Sequence, residues 1–69
     1  MTMEDFRMEF YEAPNADGLI DADYWDCVFD EIDSPDELRK ELRLMEKMGS
    51  IHIEWGPKGI PEAVWVSGY

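Results

Sequence analysis

"ADYWDCVFDEID", residues 22–33, mixes five carboxylates with five large apolar side chains, and either a helix or a strand could be written over it. At 100° per residue, Tyr24, Trp25, Val28, Phe29 and Ile32 fall within an arc of about 140°, while Asp23, Asp26, Asp30, Glu31 and Asp33 occupy much of the opposite side. At the two-residue period of a strand, Trp25, Cys27 and Phe29 agree, but Tyr24, Asp26, Val28, Asp30 and Ile32 would mix on the other face. The pattern therefore predicts a helix over 22–33, against the strand propensity of Trp, Tyr, Phe and Val. Asp21 is its expected N-cap. Cys27 alone is out of place, a reduced thiol at the helix flank.

Downstream, "SPDELRKELRLMEKMG" (34–49) carries helix signals at both ends: Ser34 as N-cap, Pro35 at the first helical position, Glu37 completing a capping box, and Gly49 as terminator. Leu38, Leu42 and Met45 form its inward stripe. A residue before proline is pushed out of the helical region, so Ser34 separates two helices. "SIHIEW" (50–55) then alternates, "GPKGIP" (56–61) is dense in turn formers, and "EAVWVSGY" (62–69) returns, which predicts a β-hairpin. Upstream, "EDFRMEFYEA" (4–13) sets Phe6, Met8 and Phe10 against Arg7, Glu9 and Tyr11, as a half-buried strand over 4–12 would, and "PNADG" (14–18) closes it with a loop. The expected fold is α+β, one domain over 1–69, in the order β-α-α-β-β. Its sheet is three-stranded and mainly antiparallel, with two helices on one face. Trp25 and Trp55 belong inside.

Sixty-nine residues bury only about 60% of their extended surface, so stability is marginal and there is no room for a large enclosed active site. Leu, Ile, Val and Phe supply 15 of 69 residues, just above the roughly 20% below which a highly charged chain stays disordered. Three Trp, three Tyr and five Met tip the balance towards folding. The single Cys27 rules out an internal disulfide framework, and no basic leader or long apolar run is present, so a cytoplasmic protein without a membrane span is expected.

Several chemistries lack their residues. A calcium loop starting at Asp21 would need Gly at its sixth position and Glu at its twelfth, where Asp26 and Ile32 stand. One His52 and one Cys27 are a poor supply for zinc or for a nucleophilic pair, and the scattered glycines match no phosphate-binding loop. An enzyme is not expected, nor a cofactor or a metal. Direct nucleic-acid binding is also disfavoured: Arg39, Lys40, Arg43 and Lys47 alternate with Glu41 and Glu46 on one helix, a mixed face held by pairs such as Asp36 with Lys40, and not a basic patch.

The net charge of −11 is unevenly spread. Residues 1–34 hold eleven acids and one base, for −10, and residues 35–69 six acids and five bases, for −1. Asp23 suits the positive end of its helix. Asp30, Glu31 and Asp33 sit where the dipole disfavours them, and Asp23/Asp26, Asp26/Asp30 and Asp30/Asp33 are like-charged neighbours costing roughly 0.2–0.5 kcal/mol each. That local cost marks Asp23, Asp26, Asp30, Glu31 and Asp33 as partner-binding residues, with simple solubilisation as the competing account. Carboxylates about 5–6 Å apart along a helix resemble the anionic display of a nucleic-acid backbone, which a Lys/Arg-lined groove would accept.

"DADYWDCVFDEIDSPDE" (21–37), with the acidic first half and mixed fold around it, resembles the small acidic DNA-mimic inhibitors encoded by phages, the anti-CRISPR proteins among them. The resemblance is one of size, charge and organisation over the whole chain, without a signature motif, and no family residue is carried over. It implies an inhibitor that occupies the DNA-binding groove of a CRISPR effector complex or another basic nucleic-acid-binding protein in an infected bacterium. Two other readings stay open: an antitoxin-like or regulatory module neutralising a basic partner, and a structural subunit that buries a sheet face bearing Tyr11, His52 and Trp65.

Overall fold

The alternation of Phe6, Met8 and Phe10 does not make a strand. In the computed structural model, which describes residues 1–67, Met3–Phe10 is a helix, α1. Thr2 starts it: the Asp5 N–H donates to the Thr2 hydroxyl (3.1 Å) and the Thr2 N–H to the Asp5 carboxylate (3.2 Å), a reciprocal cap that satisfies two otherwise orphaned donors. The bond from the Thr2 backbone, then that from its side chain, hold the Asp5 carboxyl below its usual range. Phe6 and Phe10 are also four apart, one helical turn, and both are buried. Met8, which suggested the alternation, points into solvent at 72% exposure.

The first strand lies instead at Leu19–Asp21, β1, where none is expected from the sequence. It is followed by α2 (Ala22–Glu31), α3 (Pro35–Lys47), β2 (Ile51–Trp55) and β3 (Pro61–Val66). The α+β class and the three-stranded antiparallel sheet stand, but the order is α-β-α-α-β-β: the expected first strand is a helix, and a short strand not foreseen takes its place in the sheet. β3 lies between β1 and β2 and is antiparallel to both. Its register aligns Ile20, Val64 and Ile53 across the sheet, and beside them Leu19, Trp65 and His52. Side chains alternate between faces along a strand. The first row is therefore buried in one core with Phe6, Phe10, Trp25, Val28, Phe29, Leu38 and Leu42, while His52 and Trp65 face outward with their rings 5.7 Å apart. Tyr11, expected on that outer face, is the C-cap of α1 instead.

Three local devices hold the layers together. Gly49 ends α3 at φ +83°: its N–H donates to the Glu46 carbonyl and that of Ser50 to the Met45 carbonyl, each at 3.0 Å, a left-handed termination that favours glycine. Ser34 caps α3 less fully than expected, because ψ there is 89° and no side-chain cap bond forms. Glu46 reaches back to accept from the Ile53 N–H at 2.9 Å, covering a donor on the β2 edge.

Arg39 joins α3 to the hairpin. It donates to the Gly59 carbonyl at 2.8 Å, lies 5.2 Å over the Phe29 ring and pairs with Asp36 at 3.0 Å. Asp36 therefore pairs three residues ahead and not with Lys40. Trp55, expected inside, is only half-buried, since the β2–β3 register shifts between Glu54 and Trp55. Its ring instead carries the Arg43 guanidinium at 5.3 Å.

Candidate protein-binding face

α2 begins where Asp21 accepts from the Tyr24 N–H at 3.2 Å, the cap expected of it. Trp25, Val28 and Phe29 repeat at the spacing of one helix face and are buried. The face they leave outward carries Asp23, Asp26, Cys27, Asp30 and Glu31, all exposed. None of these four carboxylates enters an ion pair or a side-chain hydrogen bond among the described residues. Cys27 thus lies among the carboxylates and not on the flank.

The helix stops at Glu31, two residues short of its expected end. Ile32 turns to ψ 140°, which leaves its side chain buried in the core, and Pro35 keeps the chain extended before α3. Asp33 is set apart from the other four. Its N–H donates to the Met1 carbonyl at 2.8 Å, and its carboxylate lies 3.7 Å from the Met1 ammonium. That ammonium also donates to the Glu31 carbonyl at 2.8 Å. A positive group at the C-terminal end of α2 offsets part of the dipole penalty on Asp30 and Glu31.

The fold adds neighbours that spacing along the chain could not reveal. Asp26 borders a shallow depression of about 290 Å³ together with Lys58 and Glu62 from the hairpin. Glu62 extends the anionic surface beyond the helix, and Lys58 is the cation that shares this depression. Among the described residues no three His, Cys, Asp or Glu side chains come together as a metal site, and no helix is long and apolar enough to cross a membrane.

Tyr24 sits at the margin of this face with its hydroxyl buried and without a hydrogen-bond partner. Burial first, and the nearby Glu9 charge second, push its pKa above the ordinary value. Ionisation is thereby harder in the folded chain than in the unfolded one. The associated stability is fully present below about pH 10 and is lost as pH rises through the raised folded value. Tyr24→Phe is expected to be neutral or slightly stabilising at pH 7, because it removes an unpaired buried hydroxyl, and to flatten the alkaline decline. Urea unfolding of both proteins between pH 8.5 and 11 checks this; parallel declines would show that Tyr24 is not the responsible group.

Comparison with protein-family models, with curated proteins and with solved structures finds no match to this chain.

Proposed function

We propose that α2 docks its acidic face into a Lys/Arg-lined groove of a nucleic-acid-binding protein and so excludes the nucleic acid, in the manner of a DNA-mimic inhibitor. The observation that carries this is the state of Asp23, Asp26, Asp30 and Glu31: exposed on one helix, with no cation among the described residues paired to them. Carboxylates already fixed on a helix lose little conformational freedom on binding, and their field steers a basic partner at long range. Asp33 and Glu62 lie at the two margins of the face. Such a ligand needs no catalytic group, cofactor or metal.

The resemblance to anti-CRISPR proteins makes CRISPR effector complexes the first targets to test. With purified effector and labelled target duplex, the protein is expected to block DNA binding at about one copy per site, and excess duplex to restore it. The block should weaken as salt rises from 50 to 300 mM, since the shortening Debye length screens contacts between exposed charges. A block that excess nucleic acid cannot relieve would favour an antitoxin-like module acting elsewhere on its partner. Inhibition well below stoichiometric amounts would favour catalysis.

A further inference from the structure

On the α1–α3 side the molecule has the opposite character. Of the five large hydrophobic side chains that the described residues leave exposed, four lie on or at the end of these two helices: Met8, Tyr11, Leu44 and Met48. Two adjoining grooves run between the helices, of about 560 and 320 Å³, and share Arg7, Glu41 and Leu44. Arg7 bridges them through its paired contact with Glu41, at 2.7–3.1 Å. The smaller groove is floored by Phe6, Phe10 and Met45 and walled by Tyr11 and Met48. The larger is rimmed by Lys40, Arg43 and Lys47.

With Arg7, these make four of the six Lys and Arg residues of a chain whose net charge is −11. Lys40 and Lys47 pair with no carboxylate among the described residues. Glu41 is taken by Arg7, which leaves Glu37 as the one unpaired acid on this rim. An apolar trough with a cationic border thus stands on a strongly acidic protein, and no residue of α2 lines it.

We infer that the α1–α3 groove binds an acidic amphipathic helix of a partner protein, apolar side chains down against Leu44, Met45 and Met48 and carboxylates out towards Lys40, Arg43 and Lys47. Helix-in-groove recognition uses such a trough, and Met side chains adapt to the shape of the incoming face. α3 is 13 residues long, about 20 Å, which matches three to four turns of an occupant.

A second copy of this chain is a poor occupant. Two copies joined through Leu44 and Met48 would bring their cationic rims together. The acidic α2 of a second copy would meet the rim, but its apolar side chains are already buried in its own core and could not fill the trough. The occupant therefore carries both features on one accessible helix.

The test uses three 18-residue fluorescent peptides: a helix with Leu on one face and Glu elsewhere, the same with Lys for Glu, and a shuffled acidic sequence without an apolar face. Global charge would favour the Lys peptide, whereas the local rim favours the acidic one. The acidic amphipathic peptide is expected to bind tightest by anisotropy and to shift the methyl resonances of Met45 and Met48. Leu44→Glu with Lys47→Glu, both on exposed positions, should weaken it about tenfold or more, a loss of about 1.4 kcal/mol per factor of ten. Lys substitutions at Asp26, Asp30 and Glu31 should leave it intact, so that failure here is distinct from failure of the α2 face. Equal binding of the shuffled peptide, tighter binding of the Lys peptide at the same methyls, or indifference to the double substitution would overturn the inference. So would Met48 shifts that track protein concentration, because a second copy would then occupy the groove.

Discussion

Trp25→Ala is expected to leave the chain largely unfolded at 25 °C. The indole is fully buried, with its ring centroid 5.9, 6.5, 5.1 and 6.4 Å from those of Phe6, Phe10, Tyr24 and Phe29. It is where α1 and α2 meet. Truncating such a residue costs about 3–5 kcal/mol, and a core in a chain below about 70–80 residues rarely supplies more than about 3–5 kcal/mol in total. The loss therefore matches the whole stability of the domain. Trp25→Phe is the control: it keeps a ring in the cluster and removes an indole N–H that has no hydrogen-bond partner, so it should cost much less and retain a cooperative transition. Near-ultraviolet circular dichroism and urea titration read both variants. A Trp25→Ala protein that unfolds cooperatively near the parent midpoint would show that the aromatic cluster is not what joins the helices.

α3 and the hairpin were legible because their signals are local. Ser34-Pro35 and Gly49 bracket one helix, and Ile51, His52 and Ile53 alternate in burial as their order implies. α1 is not legible for a physical reason: positions 6 and 10 satisfy both a two-residue and a 3.6-residue period, so only Met8 decides between them, and it points to the strand. The deciding signal was the Thr2–Asp5 cap, which side-chain periodicity does not register. β1 was not legible at all. Its three residues are too few to show a period, and they are a strand only because β3, more than forty positions away, lies alongside them.

The acidic face was legible for a related reason. Once Trp25, Val28 and Phe29 turn inward, Asp23, Asp26, Asp30 and Glu31 can only turn outward. Asp33 was not, since its surroundings are set by Met1, and the place of Glu62 beside Asp26 depends on how the hairpin folds back. The α1–α3 groove is hidden from the sequence because the alternation over 4–12 predicts a strand, which puts Phe6 and Met8 on one face. As a helix, the same residues bury Phe6 and Phe10 and place Arg7 across from Glu41 on α3.

Replacing Asp26, Asp30 and Glu31 with Lys is expected to lower affinity for a basic partner by about a hundredfold or more at low salt, because three attractive contacts become repulsive at once. Asp33 is left out, since its carboxylate pairs with the Met1 ammonium and a Lys there would disturb the end of α2. The fold should persist. All three positions are exposed, and cations at 30 and 31 suit the C-terminal end of the helix dipole, while Lys at 26 meets Lys58 across the depression they share. Net charge alone could mimic this result, so the control reverses Glu12, Asp17 and Glu54, which are exposed, lie off α2 and make no side-chain ion pair among the described residues. Each triple takes the chain from −11 to −5. Long-range steering responds to the total and should fall in both variants. Loss that persists at 300 mM salt, where distant charges are screened, should be confined to the α2 triple. Affinity at two salt concentrations for the parent and both variants separates the terms. Equal losses would reduce the acidic stretch to a source of net charge, and no loss from the α2 triple would move the contact surface off this helix.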